Sequence, residues 1–154
     1  MKLFCVISIF LFAVAAGAAE APVVSFPDSP PAQLKAGGKV EAALSITVKQ
    51  GVHVQANPAS ETYLIPTKLE LTAVNDITPG KPAYPKGKEL KLDASSPPLA
   101  VYDGTFQIKV PLEAKSSAKP GKYTLSGKLS YQACDDRMCL PPTSTPVKLN
   151  VQIN

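Results

Sequence analysis

From Lys39 to Lys49 apolar and polar residues alternate. Val40, Ala42, Leu44, Ile46 and Val48 fall on one side, with Glu41, Ser45, Thr47 and Lys49 mostly on the other. A period of two is that of a half-buried strand. Gly51 breaks it, and Val52-His53-Val54 resumes as a short strand. Thr67 to Val74 alternates again, and Glu89 to Leu92 reads as another short strand. Gly104 to Leu112 sets Phe106, Ile108 and Val110 against Gln107 and Lys109. Tyr123 to Tyr131 carries Tyr123, Leu125, Leu129 and Tyr131 at strand spacing, and Pro146 to Ile153 closes with Val147, Leu149, Val151 and Ile153. Turn residues separate these segments at Asn57–Ser60, Pro79-Gly80, Pro85–Gly87 and Pro120-Gly121. No window shows the 3.6-residue period of an amphipathic helix. About seven strands between Pro/Gly turns predict an all-β fold, an immunoglobulin-like antiparallel sandwich of two sheets.

The first residues have a different pattern. Met1-Lys2 is a short positive start, Leu3 to Ala16 is unbroken apolar sequence, and Ala16-Gly17-Ala18 supplies small residues for cleavage. This is the layout of a secretory signal peptide, expected to span residues 1–19 and to be removed. The apolar run is short of the roughly 20 residues needed to span a bilayer, and no second run follows. The expected product is exported, with no stable membrane insertion. Pro22, Pro27, Pro30, Pro31 and Gly37-Gly38 mark residues 20–38 as an extended leader, which leaves 39–154 as the sandwich domain.

Composition narrows the chemistry. The 154 residues carry 16 Lys and Arg against 12 Asp and Glu, a net charge of +4, and the basic residues are scattered singly. That is not the clustered charge of a nucleic-acid binder. A single His excludes a multi-His metal site, and no Gly-rich phosphate loop is present. No cofactor is expected.

Of three cysteines, Cys5 leaves with the signal. Cys134 and Cys139 remain, and an even count in an exported protein can pair. They enclose Asp135-Asp136-Arg137-Met138, a polar, turn-forming stretch before Pro141-Pro142. Facing positions across a hairpin-like turn would bring their Cα atoms to the roughly 5.5–6 Å usual for a disulfide. Three readings are open. A structural staple is one, although so short a ring restrains the unfolded chain by only ~2 kcal/mol. A metal pair is the second, with His53 and nearby carboxylates to complete it. A reversible redox pair is the third. The two acids raise a neighbouring thiol's pKa and Arg137 lowers it, which suits a shielded relay more than a strong oxidant.

Tyr131-Gln132-Ala133-Cys134-Asp135-Asp136-Arg137-Met138-Cys139-Leu140-Pro141-Pro142 resembles the cysteine segment of the N-terminal periplasmic domain of the thiol:disulfide interchange protein DsbD. Gly51–Val54 followed by Asn57-Pro58, Tyr63–Thr67, and Val101–Gly104 are also similar to that family. The resemblance implies an immunoglobulin-like domain in the periplasm that takes electrons from a membrane partner. It would pass them to oxidised periplasmic proteins: disulfide isomerases and thioredoxin-like factors, including those of cytochrome c maturation. By family position Cys139 forms the mixed disulfide and Cys134 resolves it. An aromatic loop residue shields the pair, and Tyr84 is the candidate here. With the sequence ending at Asn154, the donor is expected to be a separate membrane polypeptide. The rival expectation is a non-catalytic interaction module with an inert local disulfide.

The other candidates are His53, which near the cysteines could help to deprotonate a thiol, together with Asp135, Asp136 and Tyr131 as neighbours of the pair. Tyr131 reads first as a core aromatic, and Met138 as turn packing.

Overall fold

A computed structural model describes residues 22–91, 96–135 and 137–154. The signal-peptide residues, Leu92 and Asp136 lie outside the described residues. The strands are β1 (Val24–Ser25), β2 (Ala32–Leu34), β3 (Lys39–Val48), β4 (His53–Gln55), β5 (Lys68–Leu71), β6 (Ile77–Pro79), β7 (Lys88–Leu90), β8 (Leu99–Tyr102), β9 (Thr105–Ala114), β10 (Gly121–Tyr131), β11 (Ala133–Cys134) and β12 (Thr143–Ile153). Among the described residues there is no helix.

Three four-stranded sheets form, ordered β1-β3-β9-β6, β2-β12-β10-β5 and β11-β4-β8-β7. The first two are the layers of the expected immunoglobulin-like sandwich. Pairing is antiparallel except between β2 and β12. Each layer is built on one long ladder, β3 with β9 and β10 with β12. The alternating residues of these strands meet between the layers. Ile46, Ile108, Val110, Leu125, Leu129, Val151 and Ile153 are all fully buried in one continuous core. At about 1.5–3 kcal/mol for each large apolar side chain removed from water, this core holds the two layers together.

Several elements differ from the sequence pattern, each for a local reason. The segment read as a leader supplies β1 and β2, which add to opposite layers and bury Val24 and Leu34. β12 begins at Thr143, ahead of Pro146. β2 covers only its C-terminal end, so Pro146 sits where one edge has no partner strand and its missing N–H costs nothing. The strand expected over Thr67–Val74 stops at Leu71. The chain then turns so that Val74 and Ile77 exchange backbone hydrogen bonds around Asn75, whose φ is +49°. Gly127 lies in mid-strand because a Cβ there would meet the Glu70 carbonyl oxygen at 2.0 Å.

The third sheet was not expected. It is small, and it leaves the sandwich where Gly104 (φ +58°) swings the chain from β8 into β9. β4 lies at its centre, between β11 and β8, with all three residues buried. This sheet carries the cysteines.

Candidate functional site

The cysteine turn is a hairpin. The Asp135 N–H bonds to the Met138 carbonyl (3.0 Å) and the Leu140 N–H to the Ala133 carbonyl (2.7 Å). Cys134 and Cys139 therefore face each other as a non-hydrogen-bonded antiparallel pair, the arrangement that brings backbones closest. Their sulfurs are bonded, and their Cα atoms are 3.9 Å apart, closer than the separation expected from disulfides in general. The carboxylate of Asp135 locks the turn. Its Oδ1 accepts the N–H groups of Arg137 and Met138, both at 2.8 Å. Those two bonds, Met138 first, hold its carboxyl below the usual aspartate range.

The two sulfur-bearing residues differ in burial. Cys134 is 1% exposed, packed against β4, whereas Cys139 stands on the exposed outer side of the turn. The hairpin also leaves the backbone N–H and C=O of Cys139 pointing away from β11, since the inward bonds use Met138 and Leu140.

β4 forms the floor of the site. His53 is directly opposite Cys134 in the β4–β11 register, and Val54 is opposite Ala133. Strand alternation puts His53 and Gln55 on the face that bears the cysteine, and Val54 on the main-core face. Gln55 is wholly buried, and its side-chain Nε2 donates to Cys134 Sγ at 3.2 Å. Two buried side-chain atoms have no hydrogen-bond partner among the described residues, and both lie on this strand: His53 Nε2 and Gln55 Oε1. Burial pushes the His53 pKa below its ordinary value, against the opposing pull of the Asp103 and Asp135 carboxylates. His53 also lines an open cleft of about 300 Å³ with Gly51, Val52, Leu90, Val101 and Asp103.

A loop after β4 forms the rim. Its base is clamped where Asn57 Nδ2 donates to the Thr67 carbonyl (2.9 Å) and Thr67 Oγ1 donates to the Gln55 carbonyl (2.6 Å). The Tyr102 hydroxyl fixes the loop further, accepting the Asn57 N–H (3.0 Å) and donating to the Pro85 carbonyl (2.8 Å). The loop presents Tyr63 and Ile65 to solvent. The cysteine turn presents Met138 and Leu140. These four are the exposed large hydrophobic residues among the described ones, and Gln132 joins the two segments. Its Oε1 accepts the Ile65 N–H (3.0 Å) and its Nε2 donates to the Leu140 carbonyl (3.4 Å).

Of the residues singled out from sequence, His53 and Asp135 thus lie beside the cysteines, and Asp136 is outside the described residues. Tyr131 is a buried core aromatic whose hydroxyl meets Thr145 Oγ1 at 3.3 Å. Tyr84 packs against the main core, and its hydroxyl accepts the Leu69 N–H (2.9 Å) on β5, an edge strand of the β2-β12-β10-β5 layer and not of the sheet that carries the cysteines. Gln55, Gln132 and the apolar rim were missed. No spacing rule marks a buried glutamine, although exposed apolar residues close to paired cysteines are a readable signal. Among the described residues no group of three or more His, Cys, Asp or Glu side chains is gathered closely enough to hold a metal ion.

Among solved structures, the chain is similar to the N-terminal periplasmic domain of ScsB from Proteus mirabilis, with 16% identity and a TM-score of 0.51 over 84% of this chain. The chain spans about half, 51%, of that protein's length. A looser likeness runs to E. coli alpha-2-macroglobulin, with 14% identity and a TM-score of 0.36 over 86% of this chain and 7% of that one. No curated protein sequence matches. Residues 24–150 match the family model of the thiol:disulfide interchange protein DsbD, N-terminal, and the chain belongs to that family.

Proposed function

We propose that this domain is an exported thiol–disulfide exchange protein that relays electrons to oxidised partner proteins through the Cys134–Cys139 pair. The observation that carries this reading is the difference between the two sulfur sites, one sealed against β4 and one open on an apolar rim. A partner can reach only Cys139, so Cys139 makes the mixed disulfide and Cys134 resolves it. In the dithiol state the Cys139 thiolate attacks a partner disulfide, forming the intermolecular bond and releasing one partner thiolate. Cys134 then attacks Cys139 Sγ, closes the internal bond and expels the second partner sulfur. Two electrons leave the pair, and each partner sulfur takes up a proton.

The rim suits a partner with a concave apolar surface around its own cysteines, which favours thioredoxin-like and disulfide-isomerase proteins, those of cytochrome c maturation among them. The outward backbone groups of Cys139 offer such a partner an edge to pair with. His53, across the ladder from Cys134 and bordering the open cleft, is the candidate to exchange protons with the resolving thiol. A separate membrane protein is the proposed donor, and the periplasm, reached through the signal peptide of residues 1–19, the proposed site of action.

The test has two parts. The reduction potential of the pair is expected above about −300 mV; a lower value marks a structural bond and leaves a non-catalytic interaction module. Cys134→Ala, expressed with its signal sequence, is expected to accumulate thiol-sensitive mixed disulfides with exported proteins, and their absence would sink the relay.

A further inference from the structure

We propose that Gln55 is a catalytic residue of this exchange: its side-chain amide stabilises the Cys134 sulfur as the leaving thiolate when a partner opens the disulfide, and as the resolving nucleophile when the disulfide closes. The proposal rests on the exchange reading above and adds the group that makes a sealed sulfur reactive.

The need arises from burial. To recharge the pair, a donor thiolate must attack Cys139, the exposed sulfur. A bond forms between the donor sulfur and Cys139 Sγ, and the old bond's electron pair goes to Cys134 Sγ. That atom becomes an anion in a site 1% exposed to water. A buried thiolate without a partner is strongly disfavoured, which raises its pKa and slows its departure. Hydrogen bonding to the charged form reverses that penalty. The Gln55 amide is already in place: Nε2 lies 3.2 Å from Cys134 Sγ in the joined state. A disulfide sulfur is a weak acceptor and a thiolate a strong one, so this bond strengthens as the reaction proceeds. A donor fixed in advance where charge develops accelerates the chemical step rather than simply stabilising the fold.

The other end of the same amide supplies a second observation. Gln55 Oε1 is buried and unpartnered in the joined state, one of two such side-chain atoms among the described residues, the other being His53 Nε2 on the same strand. Protonation of the released thiolate, by the proton that the donor thiol gave up to solvent, creates an S–H that needs an acceptor. Half a turn about the terminal torsion of Gln55 exchanges Nε2 for Oε1 and provides it. One side chain therefore serves the thiolate with its N–H and the thiol with its C=O. The backbone of Gln55 holds the residue in place throughout, since its carbonyl accepts both the hydroxyl and the N–H of Thr67.

The experiment measures Cys134 by itself. In Cys139→Ser protein, the ultraviolet thiolate absorbance of Cys134 is titrated with Gln55 intact and with Gln55→Leu. The variant is expected to titrate about one pKa unit higher, the tenfold effect of one lost hydrogen bond to a charged group. In the protein with both cysteines, Gln55→Leu is expected to slow opening of the disulfide by reduced glutathione about tenfold. Gln55→Met, which keeps the length and flexibility of the side chain without its donor, gives the same readings if the leucine variant does not fold. An unchanged titration and an unchanged opening rate in a folded variant would overturn the proposal. The titration needs no partner protein. If the wild-type pair fails to exchange with any thioredoxin-like protein while the Gln55 effect on Cys134 persists, the relay reading falls and the assignment of Gln55 stands.

Discussion

His53 sits directly across the β4–β11 ladder from Cys134, and its Nε2 is buried without a hydrogen-bond partner among the described residues. The one histidine of the chain is thereby set beside the less accessible sulfur, on the strand that also supplies Gln55. A polar strand residue in an apolar setting costs free energy unless it is satisfied. Placing two such atoms on one three-residue strand is expensive for stability alone. It becomes understandable if the sulfur they flank alternates between bonded, charged and protonated states.

This burial has a consequence for pH. The folded-state pKa of His53 is depressed below 6.5, chiefly by desolvation. As pH falls through 6.5 the unfolded chain takes up a proton at this site and the folded chain does not. Stability therefore rises with pH across that window, is complete above it, and declines below it until the depressed folded value is reached. Urea unfolding of the oxidised protein at several pH values should show this slope. His53→Gln should flatten it, leaving the carboxylate losses at lower pH.

The unequal exposure of the cysteines predicts unequal reactivity. When the protein is reduced and treated briefly with iodoacetamide, Cys139 should be modified well before Cys134, by at least about tenfold, because alkylation tracks thiolate character and access together. Peptide mass mapping gives the ratio. Equal labelling would mean that the Cys134 pocket opens on reduction, and the assignment of attacking and resolving sulfurs would lose its basis.

The sandwich was largely readable because its long strands are half-buried. In β3 and β9 the buried positions alternate, and alternation is the property a single sequence displays. The site was only partly readable because its strands lack that property. Every residue of β4 is buried, and so are three of four in β8, so neither has a polar face to betray its period. The cysteine spacing pointed to the turn, whereas the register that sets His53 opposite Cys134 joins segments far apart in the chain, and only the family resemblance suggested that His53 lies near the cysteines. Gln55 and Gln132 were silent. Their importance comes from partners 79 and 67 residues away, Cys134 and Ile65, and such contacts are made only by the closed fold. Tyr84 was the opposite case: an aromatic in a promising loop whose hydroxyl is engaged by Leu69.

Asp135 should act on the redox equilibrium through the turn. Its carboxylate accepts two backbone N–H groups, which holds residues 135–138 in the shape that brings the sulfurs together. Asp135→Ala should make the disulfide a few-fold easier to reduce in a glutathione redox titration, since the open form no longer favours closure. Asp135→Asn keeps an acceptor oxygen at that position and should recover most of the difference. A variant pair that behaves identically would indicate that the charge, and not the turn, sets the equilibrium.

The apolar rim should decide how well a protein partner, as distinct from a small thiol, reaches Cys139. Ile65 and Met138 are exposed on separate segments, and Gln132 bonds one segment to the other. A charge at either position would have to be desolvated against an apolar partner surface, which at the centre of a small interface commonly costs tenfold or more in binding. Ile65→Glu and Met138→Glu should each slow oxidation of the reduced domain by a thioredoxin-like protein about tenfold. Oxidation by glutathione disulfide, which buries little of the rim, should slow far less. Gln132→Ala should resemble the rim variants, because it frees the Tyr63–Ile65 segment from the cysteine turn without touching either sulfur. The comparison of the two oxidants, measured by stopped-flow on the same variants, separates docking from chemistry. Equal slowing with both would place these residues in the reactivity of the disulfide itself, and the rim would no longer be the surface on which a partner lands.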